Sequence, residues 1–340
     1  MKRIIKKMLW YLAAILLAAG IVGYIILIRT SFYNPKMILG VSFDPDYARY
    51  LGLDAASTFN NLIIGEWQFK HIRLSAQWDI IEPTPGQFNF TELDSFMKAA
   101  EGRGVKIILA LGQKTPRWPE CHLPNWAVQI PPEEYRLARL AYITAVVAHF
   151  KDNPALEMWQ VENEPFLPFG KCPAFSQSDL AEELALVKTT DGTHPSLVTD
   201  SGELSTWRQT ATAAEFFGTT MYRVVWNKYL GYVSYDWLPA AFYRFKLWLA
   251  GRSPQTAYVV ELQGEPWIPD SDVIKTPMSE QNKSLNLSRL QKNINYAYRV
   301  GLSRSYLWGA EWWAWLLKNG HSEISDYIQK LPKVENVPLH

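Results

Sequence analysis

Cysteine is scarce in this sequence, and basic residues show no excess. The 340 residues include two cysteines, Cys121 and Cys172. So few cysteines exclude a disulfide-scaffold fold and a multi-cysteine zinc module. Lysine and arginine total 34 against 33 aspartate and glutamate, which gives a net charge of +1. Because a nucleic-acid-binding protein normally carries a basic excess on at least one domain, we expect no nucleic acid partner.

Motifs for metals are also missing, whereas aromatic residues are abundant. The sequence has six histidines, and none forms the His-Glu-x-x-His pattern of a zinc site, so we predict no catalytic metal and no cofactor. The 15 Trp, 17 Tyr and 15 Phe make up 14% of the chain. A hydrophobic content of 48% with 20% charged residues is typical of a folded globular chain.

The N-terminal segment predicts a membrane anchor. Residues 9–28 form an uncharged apolar run, which as a helix would be about 30 Å long, the thickness of the hydrocarbon core. Four basic residues precede it: Lys2, Arg3, Lys6 and Lys7. The positive-inside rule therefore predicts a cytoplasmic basic tail at residues 1–8 and an extracytoplasmic location for the rest. The alternative is a signal peptide that is cleaved to release a secreted protein.

Short apolar runs alternate with helical patterns after a connector at residues 29–36. The strand candidates are 37–43, 69–76, 105–111, 155–163, 196–200, 216–222, 256–262 and 303–308. The clearest helical segments are 91–103, 132–151, 178–190, 237–250 and 284–300. Eight strand–helix units fit one (β/α)8 TIM barrel of the α/β class, at residues 37–332 with a C-terminal tail at 333–340. A doubly wound open sheet is the alternative, but no G-x-G-x-x-G follows the first strand.

Chemically useful side chains recur near the carboxyl ends of these strands, where a (β/α)8 barrel places its active site. They are Arg73, Trp118, Asn163, Glu164, Tyr222, Glu261, Trp308 and Trp312. Glu164 on strand 4 and Glu261 on strand 7 would face one pocket. Glycoside cleavage needs one carboxylic acid to protonate the leaving oxygen and a second carboxylate to attack the anomeric carbon or activate water. Since tryptophan rings offer flat surfaces to sugar rings, we expect an oligo- or polysaccharide substrate.

Each of these assignments has a competitor. Glu162, two residues before Glu164, could be the acid instead, and Glu265 could replace Glu261. For three other residues the alternative is a structural role, as an ion pair or as core aromatics: Arg73, Tyr222 and Trp308. The sequence leaves these alternatives open.

Three motifs resemble those of the clan A retaining glycoside hydrolases, which include families 5, 35 and 42. The NEP at 163–165 follows an apolar strand and is similar to the acid/base motif of the clan. The segment 78–94 carries E-P-x-P-G before a Phe-rich stretch, and ELQGEPW at 261–267 resembles the nucleophile region on strand 7. The resemblance implies a (β/α)8 enzyme that hydrolyses O-glycosides with retention.

The resemblance also implies roles for individual residues. Glu164 would be the acid/base and Glu261 the nucleophile. Four residues would surround this pair: Asn163 at the sugar 2-hydroxyl, Tyr222 and Arg73 at the nucleophile, and Trp308 as the floor of a subsite. The alternatives are a non-catalytic, membrane-anchored carbohydrate-binding barrel and a transglycosylase that uses the same two carboxylates.

The two cysteines are expected to form a disulfide. Cys121 lies in the loop after strand 3 and Cys172 in the loop after strand 4. Neighbouring strands are about 4.8 Å apart, so their loops emerge side by side, and an exported chain meets an oxidising compartment. The alternative is two unrelated buried thiols.

Overall fold

A long N-terminal helix precedes the folded domain. The computed structural model describes residues 2–332, so the predicted C-terminal tail at 333–340 lies outside the described residues. Helix α1 (Lys2–Arg29) contains the predicted anchor. Its segment Arg3–Arg29 is long and apolar enough to be a membrane anchor or a signal sequence.

Eight parallel strands form a closed barrel. In chain order they are β1 (Ile38–Ser42), β2 (His71–Ser75), β3 (Lys106–Leu111), β4 (Leu156–Val161), β5 (Ser196–Asp200), β6 (Phe216–Met221), β7 (Ala257–Gln263) and β8 (Arg304–Trp308). Each strand pairs with the next one, and β8 pairs with β1 to close the barrel, with Arg304 opposite Ile38. The (β/α)8 TIM barrel predicted from the sequence is confirmed.

Helices surround the barrel and connect its strands. After α1 they are α2 (Pro45–Tyr50), α3 (Ala55–Ser57), α4 (Trp78–Ile81), α5 (Thr91–Gly102), α6 (Pro132–Phe150), α7 (Gln177–Thr190), α8 (Ala241–Leu249), α9 (Met278–Gln281), α10 (Leu287–Val300), α11 (Ala310–Lys318) and α12 (Glu323–Lys330). Local sequence sets several of their ends. A capping box of Ser176 and Asp179 begins α7, and Gly301, with a φ of 78°, ends α10.

Two apolar clusters fill the domain. Side chains of each strand alternate between the barrel interior and the surrounding helices. A separate interior cluster consists of Ile108, Met158, Leu197, Tyr258, Val260 and Tyr306. A larger cluster packs the outer faces of the strands against the helices. Near the amino ends of the strands, this cluster adjoins a buried ion-pair group in which His71 and Arg304 contact Glu157. Other polar side chains collect at the carboxyl ends of the strands.

The connection between β6 and β7 differs from the expectation. Strands Val224–Asn227 and Gly231–Ser234 pair as an antiparallel hairpin that the sequence analysis did not predict. Helix α8 begins at Ala241, later than the predicted start at residue 237. Pro239 disfavours a helical conformation for the residue before it, which accounts for the late start.

Candidate active site

The chain turns sharply after β4 and brings Glu164 to the barrel mouth. Glu162 and Glu164 have positive φ values, 61° and 46°, which non-glycine residues keep only when the surroundings hold them. The backbone N–H of Glu164 donates to Thr199 Oγ1 at 2.8 Å. Its side-chain Oε1 accepts a hydrogen bond from Thr220 Oγ1 at 3.0 Å. Threonines from β5 and β6 therefore fix both the backbone and the carboxyl group of Glu164.

Glu261 lies within β7 and is buried. Arg73 Nη1 donates to Glu261 Oε1 at 2.7 Å, and the Tyr222 hydroxyl donates to Oε2 at 2.9 Å. Burial and the charge of Glu261 raise the pKa of Tyr222 well above its usual value, so this hydroxyl keeps its proton and remains a donor. Both oxygens of Glu261 are thus held in fixed directions.

Arg73 connects the strands that carry the two carboxyls. Besides Glu261, its guanidinium donates to Gln160 Oε1 at 2.7 Å and to Asn163 Oδ1 at 2.8 Å. The side chain is fully buried, so its ion pair with Glu261 is shielded from water and stronger than an exposed one. One arginine therefore orients Glu261 and the residue that immediately precedes Glu164.

The environments of Glu164 and Glu261 contrast. Glu261 has a guanidinium partner, whereas the carboxyl of Glu164 accepts from a neutral hydroxyl. Burial, followed by the negative charges of Glu261 and Glu120, raises the pKa of Glu164 well above its usual value. Two carboxyls, one paired with a cation and one whose surroundings favour the protonated form, can divide the roles of base and acid between them.

A third carboxyl, Glu120, lies beside this pair and was missed by the sequence analysis. It belongs to the loop after β3, and its Oε2 accepts a hydrogen bond from Asn163 Nδ2 at 3.3 Å. Burial, followed by the charge of Glu261, raises the pKa of Glu120 to about 7. No strand-end pattern marks this position, because the loop returns to the mouth only in the folded chain.

The loops after β3 and β4 are fastened together next to Glu120. Cys121 and Cys172 form a disulfide with their Cα atoms 5.2 Å apart, which confirms the predicted pair. Gly170 has a φ of 98°, and a Cβ at this position would lie 2.5 Å from the Cβ of Glu120. The glycine therefore permits the close packing that holds Glu120 at the mouth.

Removing the disulfide should lower the stability of the protein. The bond links residues 51 positions apart, and closing a loop of this length restricts the unfolded chain by about 4 kcal/mol. For a Cys121→Ser/Cys172→Ser variant we expect urea denaturation to show a loss of about 2–4 kcal/mol in unfolding free energy. A reducing agent should destabilise the native protein similarly and leave the variant unchanged. Equal stability of the two proteins would contradict this expectation.

Arg117, from the same loop, covers the predicted subsite floor. Its guanidinium lies 4.4 Å from the ring centre of Trp308 and 3.7 Å from that of Tyr47. Arg117 also pairs with Glu265 at 3.1 Å and with Glu311 at 3.5 Å, and Trp308 Nε1 donates to Glu265 at 2.7 Å. A sugar ring could therefore stack on this face of Trp308 only if Arg117 moved aside.

The two alternative carboxyls have other partners. Glu162 is fully buried, and its oxygens accept from two backbone N–H groups of the loop after β3 at 2.7 and 2.8 Å. Glu265 belongs to the cluster around Arg117. The contacts with Arg73 and Tyr222 are made by Glu261 instead.

A row of aromatic rings leads from Glu261 to the surface. Tyr222 packs edge-on against Trp267, with ring centres 5.0 Å apart. Trp267 lies 6.2 Å from Phe169, which lies 5.9 Å from Trp118. Trp118 is 56% exposed, so its ring is open to a ligand. The row includes two residues that the sequence analysis assigned to substrate binding, Tyr222 and Trp118.

Trp312 lies in the hydrophobic core rather than at the mouth. It belongs to α11 and is fully buried, and its indole Nε1 donates to Gln281 Oε1 at 2.8 Å. A ring in this position has no surface for a substrate, which corrects the expectation from the sequence. The spacing after β8 does not reveal which face of α11 turns inward.

Comparisons with known proteins agree with this fold. A family model described as beta-galactosidase, glycoside hydrolase family 42, matches residues 63–139. A beta-galactosidase from an Arthrobacter species is 32% identical over 26% of this chain and 15% of its own length. A probable mannan endo-1,4-beta-mannosidase F from Emericella nidulans is 28% identical over 34% of this chain and 28% of its own length. The matches thus span less than a third of either relative.

A solved structure has a similar fold over most of the chain. GH5_18 from Bifidobacterium longum subsp. longum has a TM-score of 0.59 at 14% identity, over 80% of this chain and 69% of that one. A likeness at this identity concerns the fold. Together with the sequence matches, it confirms the resemblance to the clan A glycoside hydrolases, and the matched relatives are named as glycosidases.

Proposed function

We propose that this protein is a retaining glycoside hydrolase that acts on an extracytoplasmic oligo- or polysaccharide. Glu261 is the nucleophile and Glu164 the acid/base. The observation that carries the proposal is the contrast between the two carboxyls: Arg73 and Tyr222 hold Glu261, whereas burial and nearby charge favour the protonated form of Glu164. Double displacement requires such a pair.

In the first step, Glu261 attacks the anomeric carbon while Glu164 gives its proton to the leaving oxygen. The bond to the leaving group breaks, and a covalent glycosyl-enzyme forms. Glu164, now a carboxylate, removes a proton from water, and the oxygen of this water attacks the anomeric carbon and releases Glu261 with net retention. Asn163, whose amide is held by Arg73 and Glu120, would contact the sugar 2-hydroxyl.

A set of activated 2-deoxy-2-fluoroglycosides tests this proposal, because such compounds form the glycosyl-enzyme but release it slowly. We expect one of them to add its sugar mass to the peptide that contains Glu261, and the matching activated glycoside to be hydrolysed. Glycan binding without labelling would indicate a non-catalytic carbohydrate-binding barrel. Labelling with transfer to added sugars, and without hydrolysis, would indicate a transglycosylase.

Glu120 should tune the acidity of Glu164. The charge of Glu120 contributes to the raised pKa of Glu164, so Glu120→Gln should lower this pKa while it keeps an acceptor for Asn163. An acid catalyst must be protonated, and the alkaline limb of the kcat/KM profile should therefore move to lower pH. Glu101→Gln, on the exposed surface of α5, is the matched control. An alkaline limb at the same pH in both variants would contradict this role.

We also propose that residues 9–28 anchor the protein in a membrane. Residues 1–8 would lie in the cytoplasm, and the barrel at 37–332 would lie outside, joined by the connector 29–36. The disulfide supports this placement, since disulfides persist in oxidising compartments. Full-length protein retained in carbonate-washed membranes is the expected result. A shortened soluble protein would instead indicate signal cleavage.

A further inference from the structure

The outer surface of α8 is unusually apolar. Tyr243 and Leu247 face the barrel and are buried, as expected of a helix that packs on a sheet. Trp248 and Leu249 face away from the barrel and are 72% and 63% exposed. In contrast, Lys246 is buried. If the outer side of α8 faced water, we would expect lysine to be exposed there and tryptophan to be buried against the barrel. The observed burial of these two residue types is the opposite.

The buried lysine has partners inside the protein. Lys246 Nζ donates to the carbonyl oxygens of Gly202 at 2.6 Å and of Ser205 at 2.7 Å. It also lies 3.8 Å from the ring centre of Trp207. These contacts offset the cost of burying the charge. The inward direction of Lys246 is therefore a stable feature of the fold, and it leaves the outer side of α8 to apolar residues.

Four residues form a surface that we call the outer α8 face: Trp237, Phe245, Trp248 and Leu249. Phe245, Trp248 and Leu249 follow the i, i+3, i+4 spacing of one helix face, and the rings of Phe245 and Trp248 stack with their centres 5.8 Å apart. Trp237 precedes the helix and is exposed. Large exposed apolar patches of this kind mark contacts with another molecule or a membrane.

The N-terminal helix adjoins this face. The Tyr24 hydroxyl, near the end of the apolar span, donates to the backbone oxygen of Trp237 at 2.6 Å, and α1 contacts α8. Phe32, just after α1, lies under the guanidinium of Arg244 at 4.2 Å. Tyrosine and tryptophan are enriched where a membrane meets water, and Tyr24 and Trp237 meet at the end of the span.

We propose that the outer α8 face rests in the interfacial layer of the lipid bilayer that α1 spans. This inference rests on the proposed anchoring by residues 9–28. Continuity with α1 favours lipid over a protein partner, because Trp237 already contacts the end of the apolar span. Aromatic rings beside an arginine suit the boundary between acyl chains and headgroups.

Labelling of the full chain in phosphatidylcholine–phosphatidylglycerol vesicles tests the inference. Both native cysteines are in the disulfide, so a single cysteine introduced by Trp248→Cys accepts one environment-sensitive fluorophore. Leu137→Cys, at a 53% exposed position of α6 between β3 and β4, is the matched control. We expect the label at 248 to emit at shorter wavelength, to lose most of its emission to doxyl-labelled lipid and to resist aqueous iodide. The label at 137 should show the opposite behaviour.

Other outcomes would overturn the inference in recognisable ways. Equal quenching of both labels by iodide, in protein that floats with the vesicles, would show an anchored protein whose α8 faces water. Protection from iodide without quenching by lipid would show a protein occupant, such as a second copy of the chain. Protein that fails to float with the vesicles would refute the proposed anchoring. This result would not bear on the proposed hydrolase activity, which is measured separately with glycosides.

Discussion

Glu261→Gln should reduce the turnover of a glycoside by at least about 10⁴-fold, because a neutral amide replaces the carboxylate that would attack the anomeric carbon. The loss should appear equally in kcat and in kcat/KM, since the nucleophile acts in the transition state. Steady-state hydrolysis of an activated glycoside measures both. Glutamine keeps the size of the side chain, so the cavity beside Arg73 and Tyr222 should stay filled.

Two controls make this result specific. The variant leaves the buried Arg73 without its carboxylate partner, which costs stability, so its thermal unfolding must be shown to remain cooperative. Glu101→Gln makes the same chemical change on the surface and should be fully active. In Glu261→Ala, azide should displace the activated leaving group and form a glycosyl azide of inverted configuration. Failure of azide to react in a folded variant would contradict the nucleophile assignment.

Glu164→Gln should affect substrates according to their leaving groups. A sugar leaving group needs a proton from Glu164, and its hydrolysis should fall by about 10²–10⁴-fold. A dinitrophenolate leaves without a proton, so the glycosyl-enzyme should still form quickly and then accumulate. Because the titrating acid is gone, the alkaline limb of the pH profile should also disappear. Stopped-flow release of dinitrophenolate measures the first step.

Azide also serves as the control for the role of Glu164. In Glu164→Ala it should attack the accumulated glycosyl-enzyme and give a glycosyl azide of retained configuration, the opposite of the product expected from Glu261→Ala. Equal losses for both leaving groups, without accumulation of an intermediate, would assign the acid role to another group. Glu120 would then be the first candidate, since it lies beside the pair.

The barrel and its two central carboxyls could be predicted because their signals are local. Each strand is a short apolar run, since a parallel sheet is covered on both faces. Glu261 directly follows the apolar run of β7, and Glu164 follows β4 by three residues. Strand ends converge at one end of a barrel whatever the details of packing. This rule therefore predicts that residues far apart in the sequence meet at the barrel mouth, without knowledge of any individual contact.

Glu120 and Arg117 could not be found in this way, because both lie in a loop whose path depends on tertiary contacts. Their φ values of 72° and 86° are not specified by residue type, and the packing of Gly170 on Glu120 is long-range. The prediction that Trp312 binds substrate was wrong for a related reason, since packing against the barrel determines which face of α11 turns inward. Composition alone also could not show that Lys246 turns inward.

The segment between α1 and the barrel determines how far the domain can reach. Phe32 N–H donates to Arg299 O at 3.0 Å, and Asn34 N–H donates to Tyr298 O at 2.9 Å. These bonds fix the segment to α10, so it does not act as a flexible linker. A compact domain of this size is about 50 Å across, so an anchored protein would work only within a layer of that depth. If the protein is the glycoside hydrolase proposed above, a glycan outside this layer would have to move or grow into it before it could be hydrolysed.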